Sequence, residues 1–334
     1  MNLADIIGVM RQHSTPFDFS EIAEEVIVNY ARAEFSNEAQ VKIERAVARE
    51  LMRLSRSQNF NRQKSRRNYA KYRAEYYSCF HFDYSEINKK SIEDKLIESR
   101  IVYVGDFHPL KSPKTVLLNL LKRIVHEMPV VLALECLPQK HQFYVDKFMR
   151  GECSQIPFDK SWYSPMELYG GLINFAKESS GKIKIAAIGP DYCEDGDFST
   201  SDKVMAPVIA YNISTSSKTV VFAGDYHVAR MHLPAKVRKL RGGADSIILY
   251  QNSTSLYWHM RDKTGKCPDA VKLSGEEYCI FSCSPLIKYQ SAIDQITGCD
   301  GVEFPEQKVS KILASVYLLL LCNNNNFQKE ISEG

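Results

Sequence analysis

The chain has 334 residues, of which 44% are hydrophobic and 25% charged, with 16 Gly and 13 Pro. This composition is typical of a folded globular protein and excludes collagen-like and wholly disordered chains. The formal net charge is only +3, so charge alone does not indicate a nucleic-acid partner. The length suits one α/β domain of roughly 200 residues that carries additions.

Residues 1–95 are predicted to form an N-terminal helical region. Apolar residues recur there at three- and four-residue spacings, from Ile22 to Tyr30 and again from Val41 to Leu54. Basic residues crowd the stretch from Arg53 to Arg73, which could contact nucleic acid or an anionic membrane. The stretch has no clear nucleic-acid motif, and a solvated basic helix face is the simpler explanation.

Residues 96–300 have the pattern of an α/β domain. The predicted strands are 101–104, 130–134, 182–188, 219–223 and 247–251, and the predicted helices are 114–128, 140–152, 165–179, 202–214 and 232–241. This alternation predicts a largely parallel β-sheet flanked by helices. The strands are continuous apolar runs, as expected where helices cover both faces. Residues 256–258 and 277–281 are expected to form further short strands or an irregular edge.

Residues 301–334 are predicted to form a C-terminal docking helix and a flexible tail. The apolar run 312–322 covers 11 residues, whereas a bilayer crossing needs about 20, so no transmembrane segment is expected. Nine cysteines are scattered without a Cys-x-x-Cys pair, which favours free thiols in a reducing cytosol. Neither a secretory signal nor a lipoprotein box precedes the helical region, and we therefore expect a cytoplasmic location.

Three predicted strands end in polar residues. One continues into Gly105-Asp106-Phe107-His108, a later one continues into Gly224-Asp225-Tyr226-His227, and Glu135 ends the strand between them. The carboxyl ends of parallel strands meet at one edge of a sheet, where functional groups gather. Because side chains alternate along an extended chain, each segment should present its carboxylate and its imidazole on the same side.

These side chains suit metal binding or proton transfer. Two histidines and a glutamate, here His108, His227 and Glu135, are a set of metal ligands that leaves a position open. Asp106 and Asp225 could be further ligands or could hold the histidines, and with Glu135 they are the candidate catalytic carboxylates. The alternative is structural, with each Asp capping a turn and each His buried in the core. The repetition of the segment favours a functional site.

Four segments of the chain resemble those of a known family. Residues 102–108 are similar to a strand that ends in Gly-acid-x-His, and residues 133–135 with Gln142 to a strand with Glu followed by a helix that carries Gln. Residues 143–152 resemble the stretch that follows, and residues 222–228 resemble a late Gly-x-x-His strand. On these residues the chain is similar to the ChaN-like haem-binding uptake family, within the wider Tiki and erythromycin-esterase superfamily.

The resemblance covers roughly residues 101–234 and implies a parallel-sheet fold with haem or iron binding. It assigns those roles to His108, Glu135 and His227, and it makes haem or a divalent transition metal the expected cofactor. Other branches of the superfamily are metal-dependent proteases or hydrolases. Asp106 stands where the family often has Glu. The candidate cofactor contacts are Tyr103, Tyr226, Gln142 and His232.

Three functions are consistent with the sequence. The first is a ChaN-like protein that binds haem or a transition metal. The second is a metal-dependent hydrolase of an amide or ester, with Glu135 as general base or ligand. The third is a non-catalytic interaction protein that uses the basic helical region. The partner is accordingly haem, iron or a small-molecule substrate, and a homodimer is one of the assemblies that the sequence allows.

Overall fold

The computed structural model describes residues 66–80, 83–156, 165–191, 198–243, 245–289 and 291–292, with single residues and pairs between 41 and 52. The chain forms two compact units, Met1–Arg53 with Glu303–Gly334, and Leu54–Val302. In the first unit the described residues are helical, and Val41, Ala48 and Leu51 are buried. The predicted docking helix and tail at 301–334 lie outside the described residues, as does the basic stretch from 53 to 65.

The second unit alternates strands with helices. Its strands are β1 (Ser85–Glu86), β2 (Ile101–Asp106), β3 (Val130–Pro138), β4 (Ile183–Gly189), β5 (Lys218–Gly224), β6 (Ser246–Gln251), β7 (Ala270–Lys272) and β8 (Glu277–Ile280). Its helices are α1 (Arg66–Ser78), α2 (Lys89–Glu98), α3 (Lys111–Glu127), α4 (Gln142–Met149), α5 (Pro165–Glu178), α6 (Phe198–Asn212), α7 (Leu233–Arg241) and α8 (Thr254–Thr264). Each strand and helix predicted between residues 101 and 251 is confirmed within a few residues.

The described strands form one sheet in the order β1-β7-β8-β6-β2-β5-β3-β4. All neighbours from β8 to β4 pair in parallel, whereas β7 pairs antiparallel with β1 and β8. The predicted α/β class with a largely parallel sheet is therefore confirmed. Both α1 and β1 belong to the same unit as the sheet, and the predicted division at residues 95 and 300 stays a prediction.

Apolar side chains cover both faces of the sheet. In β2, Val102 and Val104 belong to one buried cluster, while Ile101 and Tyr103 belong to the other. In β3, Leu132 joins the first of these clusters and the strand's alternate positions join the second. Burial on both faces explains why the strands are continuous apolar runs rather than alternating ones.

One expected strand is a helix. Residues 256–258 lie within α8, which ends at Gly265 in the left-handed conformation with φ of 70°, a common helix stop. Leu256, Trp258 and Met260 are all buried, so alternate positions are apolar, which imitates the period of a strand. Residues 277–280 do form a strand, β8, as expected.

The described residues contain neither a helix that could span a membrane nor a disulfide bond. None of the helices that can be described is both long and apolar enough to cross a membrane. The six cysteines in this part of the chain are Cys79, Cys136, Cys153, Cys267, Cys279 and Cys283, and each is a free thiol.

Candidate functional site

The candidate site lies at the carboxyl ends of three neighbouring strands. In the sheet β5 lies between β2 and β3, so residues that are far apart in the chain become neighbours. A Cβ placed on Gly224, the last residue of β5, would lie 3.5 Å from each of His108 Nε2, Glu135 Oε2 and His227 Cδ2. The structure therefore brings together the three residues that the sequence suggested as metal ligands.

A bulge in β3 sets the position of Glu135. The pairing of β3 with β4 shifts between Leu134 and Pro138, and Glu135 is the first residue of this irregular stretch. Its Oε2 accepts the Gly224 backbone N–H at 2.6 Å, and its Oε1 lies 3.3 Å from His227 Nε2. Glu135 is buried, and this carboxylate connects the end of β5 to the His227 ring.

His108 is held by the carboxylate of Asp106, the last residue of β2. Its Nδ1 lies 2.8 Å from Asp106 Oδ2, and the hydroxyl of Tyr169 on α5 donates to the same oxygen. Lys114 on α3 donates to Asp106 Oδ1 at 2.6 Å. Burial alone would raise the pKa of Asp106, but Lys114 and His108 outweigh it and lower this pKa to about 2. Asp106 is therefore ionised and anchors the imidazole.

His227 is held by a carboxylate from a different element. Its Nδ1 lies 2.7 Å from Oδ1 of Asp202, which is fully buried on α6. The other oxygen of Asp202 accepts from the Tyr72 hydroxyl on α1 and from Lys236 on α7, each at 2.9 Å. Burial lowers the pKa of His227, but Glu135 and Asp202 outweigh it, so this pKa lies above its ordinary value.

Asp225 does not pair with His227, and the expected pairing in the second segment is wrong. β5 ends at Gly224, and the next residues turn, with the His227 N–H donating to the Gly224 carbonyl at 2.8 Å. The period of two therefore ends with the strand. Asp225 instead accepts from Lys288 at 2.9 Å. Burial raises the pKa of Asp225 despite this lysine.

Two of the predicted cofactor contacts lie elsewhere in the fold. Tyr103 is 1% exposed within the apolar cluster on one face of the sheet, because its position in β2 faces the core. The Gln142 side chain bonds the backbone of the edge strand β4, accepting from the Ala187 N–H at 2.7 Å and donating to the Ile185 carbonyl at 3.1 Å. Both side chains make contacts within the fold in this structure, and their role as cofactor contacts stays a prediction.

The other two predicted contacts lie behind His227. The rings of Tyr226 and Tyr76 on α1 meet edge to face at 4.8 Å. His232 stacks on Tyr72 at 3.6 Å, donates from Nδ1 to the Tyr226 carbonyl oxygen, and lies 3.1 Å from a Glu75 oxygen. Tyr226 and His232 therefore contact α1, and His232 stacks on Tyr72, whose ring in turn contacts that of His227.

The charges at the strand ends are balanced with one exception. Asp106, Asp202 and Asp225 each have a lysine within 2.9 Å, namely Lys114, Lys236 and Lys288. Among the described residues, no lysine or arginine forms an ion pair with Glu135. In the part of the chain that the structure describes, Glu135 is thus the one carboxylate of this cluster without a lysine or arginine partner, and it lies between the two histidines.

The donor types fit a divalent transition metal. Two imidazole nitrogens and one carboxylate are a usual set for such ions, and the carboxylate on each Nδ1 is the usual partner of a metal-binding histidine. Within the described residues, no three His, Cys, Asp or Glu side chains already stand at ligand spacing. An ion would therefore have to replace the contact between His227 Nε2 and Glu135 Oε1.

Several residues of the site were not predicted from sequence. These are Tyr72, Lys114, Asp202 and Lys236. One signal could have found Asp202, which shares the buried face of α6 with Met205, Ala206 and Ile209. A carboxylate on an apolar helix face needs a buried partner, and a charged residue there indicates a polar site.

Comparisons with known proteins agree with part of this description. Residues 92–191 match the family described as haem-binding uptake, Tiki superfamily, ChaN. The matched segment includes Asp106, His108 and Glu135 and ends before His227. The resemblance drawn from the sequence is confirmed over these residues, where the chain is ChaN-like.

Two further comparisons complete these findings. Among the curated proteins none matches. A similar solved structure is described as cofacial heme binding to ChaN of Campylobacter jejuni, with a TM-score of 0.42 and 13% identity, covering 58% of this chain and 92% of that one.

Proposed function

We propose that the chain binds a transition-metal cation, as a bare divalent ion or as the iron of haem, through His108 and His227 with Glu135 between them. The observation that carries the proposal is the convergence of the three side chains on Gly224. Each imidazole is anchored by an aspartate at Nδ1, which leaves Nε2 for a ligand. Held rings lose little freedom on binding, and this favours affinity.

The negative charge of Glu135 supports a cationic ligand. Each of the three neighbouring aspartates has its own lysine, so a bound cation would be attracted mainly by Glu135. Burial strengthens this attraction because the interior screens charges less than water does. The ChaN-like character of residues 92–191 supports iron or haem as the ligand.

The exposure of the two histidines bears on the form of the ligand. The His108 side chain is 29% exposed, whereas that of His227 is 4% exposed. Haem would approach the more exposed ring, that of His108, from solvent, and a bare ion is small enough to reach both rings. A bare ion that uses both histidines is therefore the version of the proposal that the arrangement favours.

Metal analysis and haem titration test the proposal. Protein purified without a metal-binding tag would be analysed for bound metals, then titrated with Zn²⁺, Co²⁺ and haem while the visible spectrum is followed. We expect stoichiometric Co²⁺ binding with ligand-field bands, lost in the His108→Ala/His227→Ala variant. His126→Ala, at an exposed histidine in the last turn of α3, is the matched control and should bind as the parent does.

The outcomes of this experiment separate the two ligands. A Soret shift that depends on His108 but not on His227 would indicate haem bound from the solvent side. Metal binding that depends on both histidines would indicate the bare ion. If the double variant binds every ligand as tightly as the parent, the site assignment is wrong.

A second candidate function is hydrolysis of an amide or ester. The pairing of each imidazole with an aspartate and a tyrosine favours it, because an anchored imidazole is a suitable general base. A divalent ion would add Lewis acidity. Screening the Zn²⁺- and Mn²⁺-loaded protein against peptide and ester libraries tests this function. Turnover that is lost in Glu135→Gln supports it, and no turnover with any metal argues against it.

A further inference from the structure

The two histidines of the site have partners of the same composition. Each imidazole Nδ1 meets an aspartate, and each aspartate also accepts from one tyrosine hydroxyl and one lysine. For His108 the partners are Asp106, Tyr169 and Lys114. For His227 they are Asp202, Tyr72 and Lys236. In the first set the aspartate is the last residue of β2, two residues before His108, whereas in the second all three partners come from helices.

Two carboxylates compete for the ring proton of a neutral His227. Asp202 lies 2.7 Å from Nδ1 and Glu135 lies 3.3 Å from Nε2. If the proton is on Nδ1, Nε2 presents a lone pair toward Gly224 and can bind a cation. If it is on Nε2, the ring donates to Glu135 and cannot bind one. The identity of the residue at position 202 therefore decides which nitrogen is available.

The surroundings of Asp202 leave its Oδ1 as the acceptor for the ring. Its Oδ2 already accepts from Tyr72 and Lys236. The Tyr72 ring packs against His232 at 3.6 Å and Phe198 at 5.4 Å. This packing fixes the position of its hydroxyl oxygen, which lies 2.9 Å from Asp202 Oδ2 and 3.1 Å from His227 Nδ1. Burial, together with Asp202, raises the pKa of Tyr72 well above its ordinary value, so the hydroxyl stays a donor.

We infer that Asp202 and Tyr72 are positioning residues of the cation site, which hold His227 with its proton on Nδ1 and its Nε2 open toward Glu135 and Gly224. The inference rests on the proposed function for its purpose. The position of the proton on the His227 ring, however, can be measured in the protein without any ligand. Helices α1 and α6 are thereby parts of the site, in addition to the three strands.

Replacing Asp202 by Asn gives an unusually specific test. The amide accepts hydrogen bonds only at its oxygen and donates only from its NH₂ group. Tyr72 and Lys236 both donate toward the same side of residue 202, so the amide oxygen should turn to them and the NH₂ to His227. The ring would then accept at Nδ1 and carry its proton on Nε2, the opposite of the parent.

Nitrogen-15 NMR of the histidine rings measures this directly in the metal-free full-length protein. Spectra would be taken above the raised pKa of His227, where the ring is neutral, and His227→Gln identifies its resonances. We expect Nδ1–H in the parent and Nε2–H in Asp202→Asn. Tyr72→Phe keeps the ring packing. It should also raise the population of the Nε2–H tautomer of His227, but less than Asp202→Asn does. Tyr211→Phe, at an 83% exposed tyrosine on α6, should change nothing.

Metal affinity is the second measurement. Loss of the aspartate that orients a ligand should weaken Co²⁺ binding roughly 10- to 100-fold, and Asp202→Glu should restore part of it. If Asp202→Asn does not fold because Lys236 is left unpaired, Asp202→Asn/Lys236→Met removes both charges and replaces it. An Nε2–H ring in the parent, or an unchanged tautomer in a folded Asp202 variant, would overturn the inference. A parent that binds no metal would overturn the proposed function alone.

Discussion

Two glycines at the strand ends differ in what a side chain would meet. At Gly224 a Cβ would make ordinary contacts of 3.5 Å with His108, Glu135 and His227. At Gly189, the last residue of β4, a Cβ would overlap the backbone carbonyl oxygen of Glu135. The first position faces the space between the ligand candidates, and the second faces the backbone of the β3 bulge.

We predict that Gly224→Ala folds but loses cation binding, because the new methyl group occupies the space where the three side chains converge. Gly189→Ala should instead lower the free energy of unfolding by about 1–3 kcal/mol, as overpacking typically does. Urea denaturation and Co²⁺ titration of both variants check this. Equal affinity in Gly224→Ala and the parent would show that the ligand does not sit beside Gly224.

The ligand candidates could be predicted from sequence because they are local. His108 lies two residues after β2, Glu135 lies in the last part of β3, and the carboxyl ends of parallel strands meet. The partners of His227 could not be predicted in the same way, since Asp202 precedes it by 25 residues and Tyr72 by 155. Nor could the sequence show that the chain turns after Gly224, which separates Asp225 from His227. The Gly-Asp-aromatic-His repeat therefore indicated residues that do lie together, beside Gly224, but it gave one wrong pairing.

At the scale of elements, β5 begins with a buried lysine that ties it to α2. Lys218 is 1% exposed, donates to the Leu96 carbonyl at 3.0 Å, and also donates to the Ser99 carbonyl. These carbonyls lie at the end of α2, where helical partners are missing. Burial lowers the pKa of Lys218 to about 8. Keeping this ammonium group charged in the folded protein therefore costs free energy.

This lysine should make stability depend on pH in a defined direction. Between about pH 8 and 10.5 the unfolded chain keeps the Lys218 proton and the folded protein releases it. The free energy of unfolding therefore rises with pH in this window, by up to about 3 kcal/mol. We predict that the free energy of unfolding of the parent minus that of Lys218→Met rises between pH 7.5 and 9.5, as measured by urea denaturation. The exposed-site variant Lys239→Met should show no such trend against the parent.

The order of the helices and strands could be predicted from the periodicity of apolar residues, whereas the pairing of the strands could be predicted only in part. Continuous apolar runs such as 101–104 and 219–223 predicted parallel strands because helices cover both faces of the sheet. The antiparallel β7 and the two-residue β1 were not recognised, since strands this short carry too few residues to show a period. In α8, Leu256, Trp258 and Met260 imitate a strand, and only the end of the helix at Gly265 distinguishes the two.

At the scale of the molecule, the carboxyl ends of the sheet collect buried charges whose partners come from distant parts of the chain. Lys114, Lys236 and Lys288 come from separate helical segments, and each neutralises an aspartate near a strand end. A buried charge without a partner is costly, whereas a buried pair contributes little net stability. This arrangement should therefore make the site sensitive to the loss of one partner.

The pair Asp225 and Lys288 is the best place to test this because neither residue contacts His108 or His227 as a hydrogen-bond partner. Lys288→Met should lower the free energy of unfolding by about 3–5 kcal/mol by leaving Asp225 uncompensated. Asp225→Asn/Lys288→Met should recover much of that loss. A double variant as unstable as Lys288→Met would mean that packing around Lys288, rather than its charge, is responsible.

The pH dependence of the Lys288→Met variant gives an independent check with a definite sign. Burial already raises the pKa of Asp225 above its ordinary 3.8 in the parent, and removing Lys288 should raise it further. Between the ordinary and the raised value the folded protein holds a proton that the unfolded chain has lost, so the free energy of unfolding falls as pH rises. The deficit of Lys288→Met against the parent should therefore be larger at pH 7.5 than at pH 5 in urea denaturation, and a deficit independent of pH would contradict the role given to Asp225.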